Sequence, residues 1–272
     1  MFLPAISELE PIARAAGDAI LAIYRQPFAV EYKQDESPLT AADQGAHEVI
    51  VQALARLTPD IPVLSEESDA ETMQARLGWS RYWLVDPLDG TKEFIAGSEE
   101  FTVNVALIER GRVVFGVVGV PANGRCYFGG AGLGAWRSEV EAEAQPISVR
   151  IAPSEAFTVV ASKRHSSPAQ ERLLTGLSER FGDLQLANIG SSLKFCLLAE
   201  GNADCYPRLA PTSQWDTAAA QGVLEGAGGE VIGLDGQPFR YPPRESLLNP
   251  FFLALPAAAG WRQALIKLAG SL

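Results

Sequence analysis

Asp86 and Asp89 stand three residues apart in Asp86-Pro87-Leu88-Asp89-Gly90-Thr91, directly after the apolar run Tyr82–Val85. The spacing predicts a strand that runs out at Val85 into a tight turn presenting both carboxylates. Pro87 restricts φ in that turn and Gly90 lets the backbone bend. Two acids on a rigid turn can share a hard cation such as Mg²⁺, which takes oxygen ligands, and the Leu88 carbonyl between them offers another oxygen. The plain alternative is a turn that merely favours Asp and Gly. Two further acidic segments weigh against it. Pro62-Val63-Leu64-Ser65-Glu66-Glu67 reads as a short apolar strand ending in two glutamates, and Trp215-Asp216-Thr217-Ala218-Ala219 puts an acid at the start of a helix-forming run. Taken singly, Glu66 and Glu67 read as a solvated loop and Asp216 as an N-cap. Thr40-Ala41-Ala42-Asp43 has a capping-box pattern, which gives Asp43 a structural reading of its own.

Together these segments resemble the lithium-sensitive, magnesium-dependent phosphatases related to inositol monophosphatase. That family reads roughly as T-x-x-D, G/S-E-E, D-P-I/L-D-G-T and W-D-x-x-A. This chain has Thr40 to Asp43, Ser65-Glu66-Glu67, Asp86 to Thr91 and Trp215 to Ala219, in that order, and the resemblance runs from about residue 10 to the C-terminal end. Inositol monophosphatases usually continue D-G-T with Thr-Asn-Phe, where this chain has Lys92-Glu93-Phe94. That departure is similar to the bacterial CysQ branch, which hydrolyses 3'(2'),5'-bisphosphate nucleotides. So are Gly190-Ser191-Ser192-Leu193-Lys194-Phe195-Cys196, Tyr206-Pro207-Arg208, Pro243-Arg244-Glu245-Ser246 and Leu248-Asn249-Pro250.

The resemblance implies two or three Mg²⁺ ions. Glu66, Asp86 and the Leu88 carbonyl would hold one, and Asp86, Asp89 and Asp216 another. Glu66 and Thr91 would orient the attacking water and help deprotonate it, with Asp43 polarising the Thr91 hydroxyl. A turn-stabilising hydroxyl is the other reading of Thr91. Backbone N–H groups of Gly90 and Thr91 are placed to cradle the scissile phosphate. Glu66, Leu88, Asp89 and Asp216 would thus touch substrate as well as metal. Ser191, Lys194 and Arg208 stand where the branch places its 5'-phosphate and ribose contacts, although Lys194 by itself reads as a solvated helix lysine. His165 would stack on or hydrogen-bond the base; a capping or exposed histidine fits as well.

The implied activity is removal of the 3'-phosphate from adenosine 3',5'-bisphosphate, a by-product of sulfur assimilation. Inositol monophosphate hydrolysis is the alternative within the family, and Lys92-Glu93 and the cations Lys194 and Arg208 argue against it. A metal-dependent nucleotide-binding regulator without catalysis is the alternative of another class. The presence of every carboxylate together with Thr91 argues against that.

The rest of the chain must position these groups. It has 272 residues, 47% of them hydrophobic, and a formal net charge of −11. That suits a globular enzyme with a substantial core. It disfavours nucleic acid polymers as partners, though a small phosphorylated ligand can still bind where divalent cations reverse the local sign. The three cysteines, Cys126, Cys196 and Cys205, form no C-x-x-C pair and read as reduced thiols of a cytoplasmic protein. No secretory signal and no transmembrane run is expected. Homodimerisation and peripheral attachment to the inner face of the cell membrane stay open.

Apolar residues from Ile6 to Ile23 at three- and four-residue steps predict a helix over 6–25, and a second runs from Thr40 to Leu57. Thr102–Ile108 and Val113–Val120 form a hairpin around Glu109–Arg112, with Cys126–Phe128 and Ala135–Arg137 extending the sheet. Gly130–Ala135 fits a dinucleotide fingerprint, but no apolar helix follows, so it reads as a glycine-rich hairpin loop. The acidic stretch Ser138–Gln145 marks a boundary between halves 1–138 and 146–272. In the second half, strands are expected at Phe157–Ala161, Gln185–Asn188, Asp204–Leu209, Val231–Leu234 and Phe251–Leu255. Helices are expected at Pro168–Phe181, Ser192–Glu200, Asp216–Ala227 and Gly260–Leu268. This order predicts an α+β layered fold. The resemblance implies the αβαβα sandwich of the sugar phosphatases, with the metal site between the halves.

Overall fold

Near-continuous apolar runs supply strands buried on both faces, and these build a seven-stranded sheet. The computed structural model describes residues 4–33, 38–153, 155–161 and 167–272. Helix α1 (Ile6–Tyr24) is followed by a two-residue antiparallel pair, β1 (Glu31–Tyr32) and β2 (Pro38–Leu39), and by helix α2 (Ala41–Leu57). Then come β3 (Val63–Ser65), α3 (Ala70–Ala75), β4 (Arg81–Asp89) and α4 (Thr91–Ile95). An antiparallel meander completes the first half: β5 (Thr102–Glu109), β6 (Arg112–Val120), β7 (Arg125–Gly130), β8 (Gly134–Ser138) and β9 (Gln145–Pro146). The sheet order is β3-β4-β5-β6-β7-β8-β9, with only β3 and β4 parallel.

The second half contains β10 (Phe157–Ala161), α5 (Pro168–Phe181), β11 (Leu184–Asn188), α6 (Leu193–Ala199) and β12 (Tyr206–Arg208). It ends with α7 (Trp215–Gly226), β13 (Gly229–Gly233), β14 (Phe252–Pro256) and α8 (Arg262–Ala269). A parallel bridge from Val159 to Cys205 joins the β10–β11 pair to the β12-β14-β13 sheet.

Three cores fill the gaps between five layers, the central one packing α6 and α7 against both sheets. Helices α1 and α2 cover one face of the large sheet through Ala13, Ile20, Ile50 and Leu54, packed on Trp83, Val85, Val103 and Val105. Alternate residues on the same strands, Leu84, Ala106 and Val118, face α6 and α7. The outer core places α5 and α8 on the far side of the small sheet through Leu173, Leu177 and Leu265. The expected αβαβα sandwich is therefore the observed one. Among the described residues no helix is long and apolar enough to cross a membrane.

Two details bear on the site. Trp83 is fully buried and its indole N–H donates to Thr58 Oγ1 at 2.9 Å, tying the end of α2 to β4. Helix α7 lies so close to the large sheet that a Cβ at Gly116 would stand 1.9 Å from the Ala219 carbonyl oxygen. Only glycine fits there.

The structure departs from the sequence reading in four places. Strand β4 does not end at Val85 but runs to Asp89, with a register shift between Asp86 and Asp89. Pro87 has no N–H to give the ladder, so the expected turn becomes a bulge. The acidic stretch Ser138–Gln145, read only as a boundary, carries sheet structure at both ends, with Ser138 buried at the end of β8 and Gln145 pairing back onto Arg137. Asp204, expected in a strand, is a buried anchor that accepts twice from Arg150, at 2.9 and 2.6 Å, and from the Thr158 N–H at 2.6 Å. The short helices α3 and α4 were not anticipated, since six and five residues carry little periodicity.

Candidate active site

Glu66 follows β3, Asp86 and Asp89 flank the β4 bulge, and Asp216 opens α7, so three elements deliver four carboxylates. Asp86 is 1% exposed, and its Oδ1 accepts from the Leu88 N–H at 3.0 Å, which stiffens the bulge. Asp89 Oδ2 accepts from the Ser192 N–H at 2.6 Å. Asp216 Oδ2 accepts from the Ser213 N–H at 2.9 Å; the N-cap of α7 is Gln214, not Asp216.

These acids act on one another. Burial is the main reason that Asp86 is held well above the usual carboxylate range, and Glu66, Asp89 and Asp216 push it the same way. Asp216 is raised well above its ordinary value by burial, then by Asp89 and Glu66. Burial raises Asp89, against the pull of the Lys194 ammonium. Glu66 is pushed up to about 7 by burial, and Lys33 opposes the shift.

Lys33 was not anticipated. Its ammonium stands 2.9 Å from Glu66 Oε1 and 2.6 Å from Glu67 Oε1. A crowd of acids has drawn in a positive charge from outside the motifs, and no local pattern around Lys33 announces this. Among the described residues, no three His, Cys, Asp or Glu side chains close around a common point as a finished metal centre. The donor set nonetheless fits Mg²⁺: all oxygen, with Asp86 buried and Glu66, Asp89 and Asp216 half-buried, and carrying a lysine as stand-in cation at one edge.

The catalytic pair expected from the sequence is in contact. The Thr91 hydroxyl lies 3.2 Å from Asp43 Oδ1 and 3.1 Å from the Leu88 carbonyl oxygen. Asp43 Oδ2 meanwhile accepts from Thr40 N and Thr40 Oγ1, both at 2.7 Å. The capping and polarising readings of Asp43 are thus compatible, one per oxygen. Gly90 is the N-cap of α4 with φ +93°, so it and Thr91 open a short helix whose first N–H groups lack intrahelical partners.

On the other rim, Lys194 is 6% exposed rather than solvated, and its Nζ donates to the Ser191 carbonyl at 2.9 Å. Burial lowers its pKa to about 8; Asp89 opposes that, and Arg208 adds to it. Arg208 spends Nε and Nη2 on the carbonyls of Ala210 and Pro211, so part of its head braces its own loop. Ser191 has φ +47°, a strained value for a residue with a Cβ. His165 lies outside the described residues. The sequence reading also missed Ser192, Thr102 and Asn104. Their signal was legible: Thr102 and Asn104 are two polar residues on one face of an otherwise apolar strand.

The raised carboxyls predict how the metal-free protein responds to pH. Glu66 binds a proton up to about pH 7 when folded and loses it near 4.5 when unfolded. Between those values the folded state holds more protons, so stability falls as pH rises. Asp43, Asp86, Asp89 and Asp216 act in the same sense. His47, lowered chiefly by burial, acts in the opposite sense, as does Lys194 near the top of the interval, and these two are outnumbered by the five raised carboxyls. Calorimetry in EDTA should therefore give a lower Tm at pH 7.5 than at pH 5.5. An increase over that interval would contradict the crowding.

Residues 4–266 match the inositol monophosphatase family. The chain belongs to that family. The 3'(2'),5'-bisphosphate nucleotidase CysQ of Salmonella typhimurium is 49% identical over 243 residues, which cover 89% of this chain and 95% of that protein. The Escherichia coli K12 protein of the same name is 47% identical over the same shares. Among inositol monophosphatase family structures, CysQ from Bacteroides thetaiotaomicron superposes with a TM-score of 0.79 at 39% identity, covering 92% of this chain and 97% of that one. An IMPase of Thermotoga maritima, at 22% identity and a TM-score of 0.77, shares the fold.

Proposed function

We propose that the chain is a Mg²⁺-dependent phosphomonoesterase that removes the 3'-phosphate of adenosine 3',5'-bisphosphate, giving AMP and phosphate. The observation that carries the reading is Lys194, a buried ammonium set among Asp89, Glu93 and Asp216 with Arg208 nearby. A site for one phosphate needs only the carboxylates and their cations. A second phosphate on the same substrate needs fixed positive charge, and burying a lysine is costly unless it has such a use. The nucleotidases named above, at 47–49% identity, support the same substrate class.

In this reading Glu66, Asp86, the Leu88 carbonyl, Asp89 and Asp216 hold the cations. Their chemistry, when bound, is Lewis-acid stabilisation of charge on the transferring phosphoryl group and its leaving oxygen. The protein's own groups handle the water. Thr91 gives its proton toward Asp43 or Leu88, so the lone pairs of Oγ1 are free to accept one water proton. Glu66 accepts the other, which leaves a water lone pair directed at phosphorus. Gly90 and Thr91 N–H groups receive the phosphate oxygens. Ser191, Lys194 and Arg208 hold the 5'-phosphate and ribose end.

The direct test is phosphate release from adenosine 3',5'-bisphosphate beside inositol 1-phosphate, with Mg²⁺ and with EDTA. The bisphosphate should be hydrolysed far faster, and only with Mg²⁺. Preference for inositol 1-phosphate would overturn the substrate assignment. Lys194→Ala and Arg208→Ala should each weaken the bisphosphate by about 1.5–3 kcal/mol through lost charged hydrogen bonds, read as a higher KM. A substrate with a single phosphate should hardly respond. Equal losses on both substrates would return these cations to general support of the site.

A further inference from the structure

Thr102 and Asn104 lie two residues apart on β5, so their side chains share one face of the sheet. Both are 0% exposed, and Ser192, which precedes α6, is 2% exposed. Ser192 Oγ lies 2.8 Å from Asn104 Oδ1 and 2.8 Å from Thr102 Oγ1. Asn104 Nδ2 donates to Asp89 Oδ2 at 3.4 Å, and the Ser192 N–H donates to the same oxygen at 2.6 Å. Thr102 Oγ1 is 3.5 Å from it.

Counting protons orders this cluster. The Ser192 hydroxyl has one proton, and only a donor can approach Asn104 Oδ1, so that proton goes to Asn104. Thr102 must then donate to Ser192. With its oxygen engaged, the Asn104 amide turns its N–H toward Asp89 and has no reason to flip. A closed ring results, running from Asp89 to the Ser192 N–H, through the Ser192 hydroxyl to Asn104, and back to Asp89. It occupies Asp89 Oδ2 and leaves Oδ1 without a hydrogen bond among the described residues. The same ring grips the backbone between Ser191 and Lys194. On the outer side, the Gly190 N–H donates to Glu100 Oε2 at 2.8 Å.

We infer that Ser192 and Asn104 are positioning residues: they hold the Asp89 carboxyl in one orientation for its cation and lash Ser191 and the start of α6, with Lys194, to it, so that cation and nucleotide affinities rise and fall together. The inference rests on the reading of Asp89 as a cation-holding group.

The test is Mn²⁺ binding to metal-free protein, followed by electron paramagnetic resonance, together with AMP binding by calorimetry in the presence of Mn²⁺. Ser192→Ala should weaken both by about tenfold or more, the scale on which groups behind a metal ligand act. Asn104→Ser, which opens the ring from the other side, should do the same and stands in if Ser192→Ala fails to fold. The double variant should be little worse than either single one. Thr102→Ser removes a buried methyl and keeps the donor, so it should lower Tm and leave both affinities in place. A Ser192→Ala protein with a lower Tm but unchanged affinities would overturn the proposal, as would a loss of Mn²⁺ affinity with AMP unaffected. A wild-type protein that binds no Mn²⁺ would overturn the reading of the site itself, and the inference with it.

Discussion

Asp89→Asn should lower phosphate release by at least about 10²-fold, the scale of losing a main stabiliser of developing charge. The structure shows why an amide of the same shape should fail. The Ser192 N–H at 2.6 Å demands an oxygen at the Oδ2 position. Asparagine can satisfy it only by turning its NH₂ to where Oδ1 was, which would aim two donors at the cation. The metal-free protein should lose no stability and could gain some, since one member of a repelling set becomes neutral. Turnover and calorimetry in EDTA check the two halves of this expectation. Near wild-type turnover would remove the β4 bulge from the proposed site.

Asp43→Asn should act on rate and stability at once. Asp43 Oδ2 is committed to Thr40, and Oδ1 to the Thr91 hydroxyl. An asparagine that keeps the cap must offer its NH₂ to Thr91, which turns an acceptor into a donor and spoils the direction of the hydroxyl. We expect kcat to fall at least about tenfold, within the range of proton-transfer aids. Up to about 1 kcal/mol of stability should go with the weakened cap. Thr91→Val should cut kcat similarly, and the double variant should be little worse than either single one, because the two residues act as one unit. KM and Mn²⁺ affinity should stay near their wild-type values. An unchanged kcat, or losses that multiply fully, would leave Asp43 with the cap alone.

The parts of this site that are local in sequence were legible there. Asp86, Leu88, Asp89, Gly90 and Thr91 announce themselves because one short segment carries the acids, the proline and the glycine. Thr40 and Asp43 do so because a capping box has a fixed spacing. The bulge at Pro87 was harder, since whether a proline ends a strand or buckles it depends on the neighbour, here β5. Lys194 was expected at the substrate's second phosphate, with a solvated helix lysine as the plain alternative, and its burial could not be read locally because only the packing of α6 between two sheets produces it. Lys33 could not be foreseen at all, since its partners Glu66 and Glu67 lie more than thirty residues away. The layered α+β class was readable from the order of elements, and the αβαβα layer order from the resemblance. The folding back of Ser138–Gln145 onto β8 was not, because polar composition does not exclude pairing.

The tight seat of α7 on Gly116 turns the site into a gauge. In the proposed reading Asp216 rides on that helix, while Asp86 and Asp89 ride on the sheet beneath it. No side chain lies between Gly116 and the Ala219 carbonyl to be compressed or extended. An ion whose preferred oxygen distances are a few tenths of an ångström longer than those of Mg²⁺, as for Ca²⁺, would have to lift a helix off a sheet rather than stretch a loop. Protein interiors resist that kind of displacement. In that reading ionic radius would be measured by backbone against backbone, at a glycine outside the proposed ligand set.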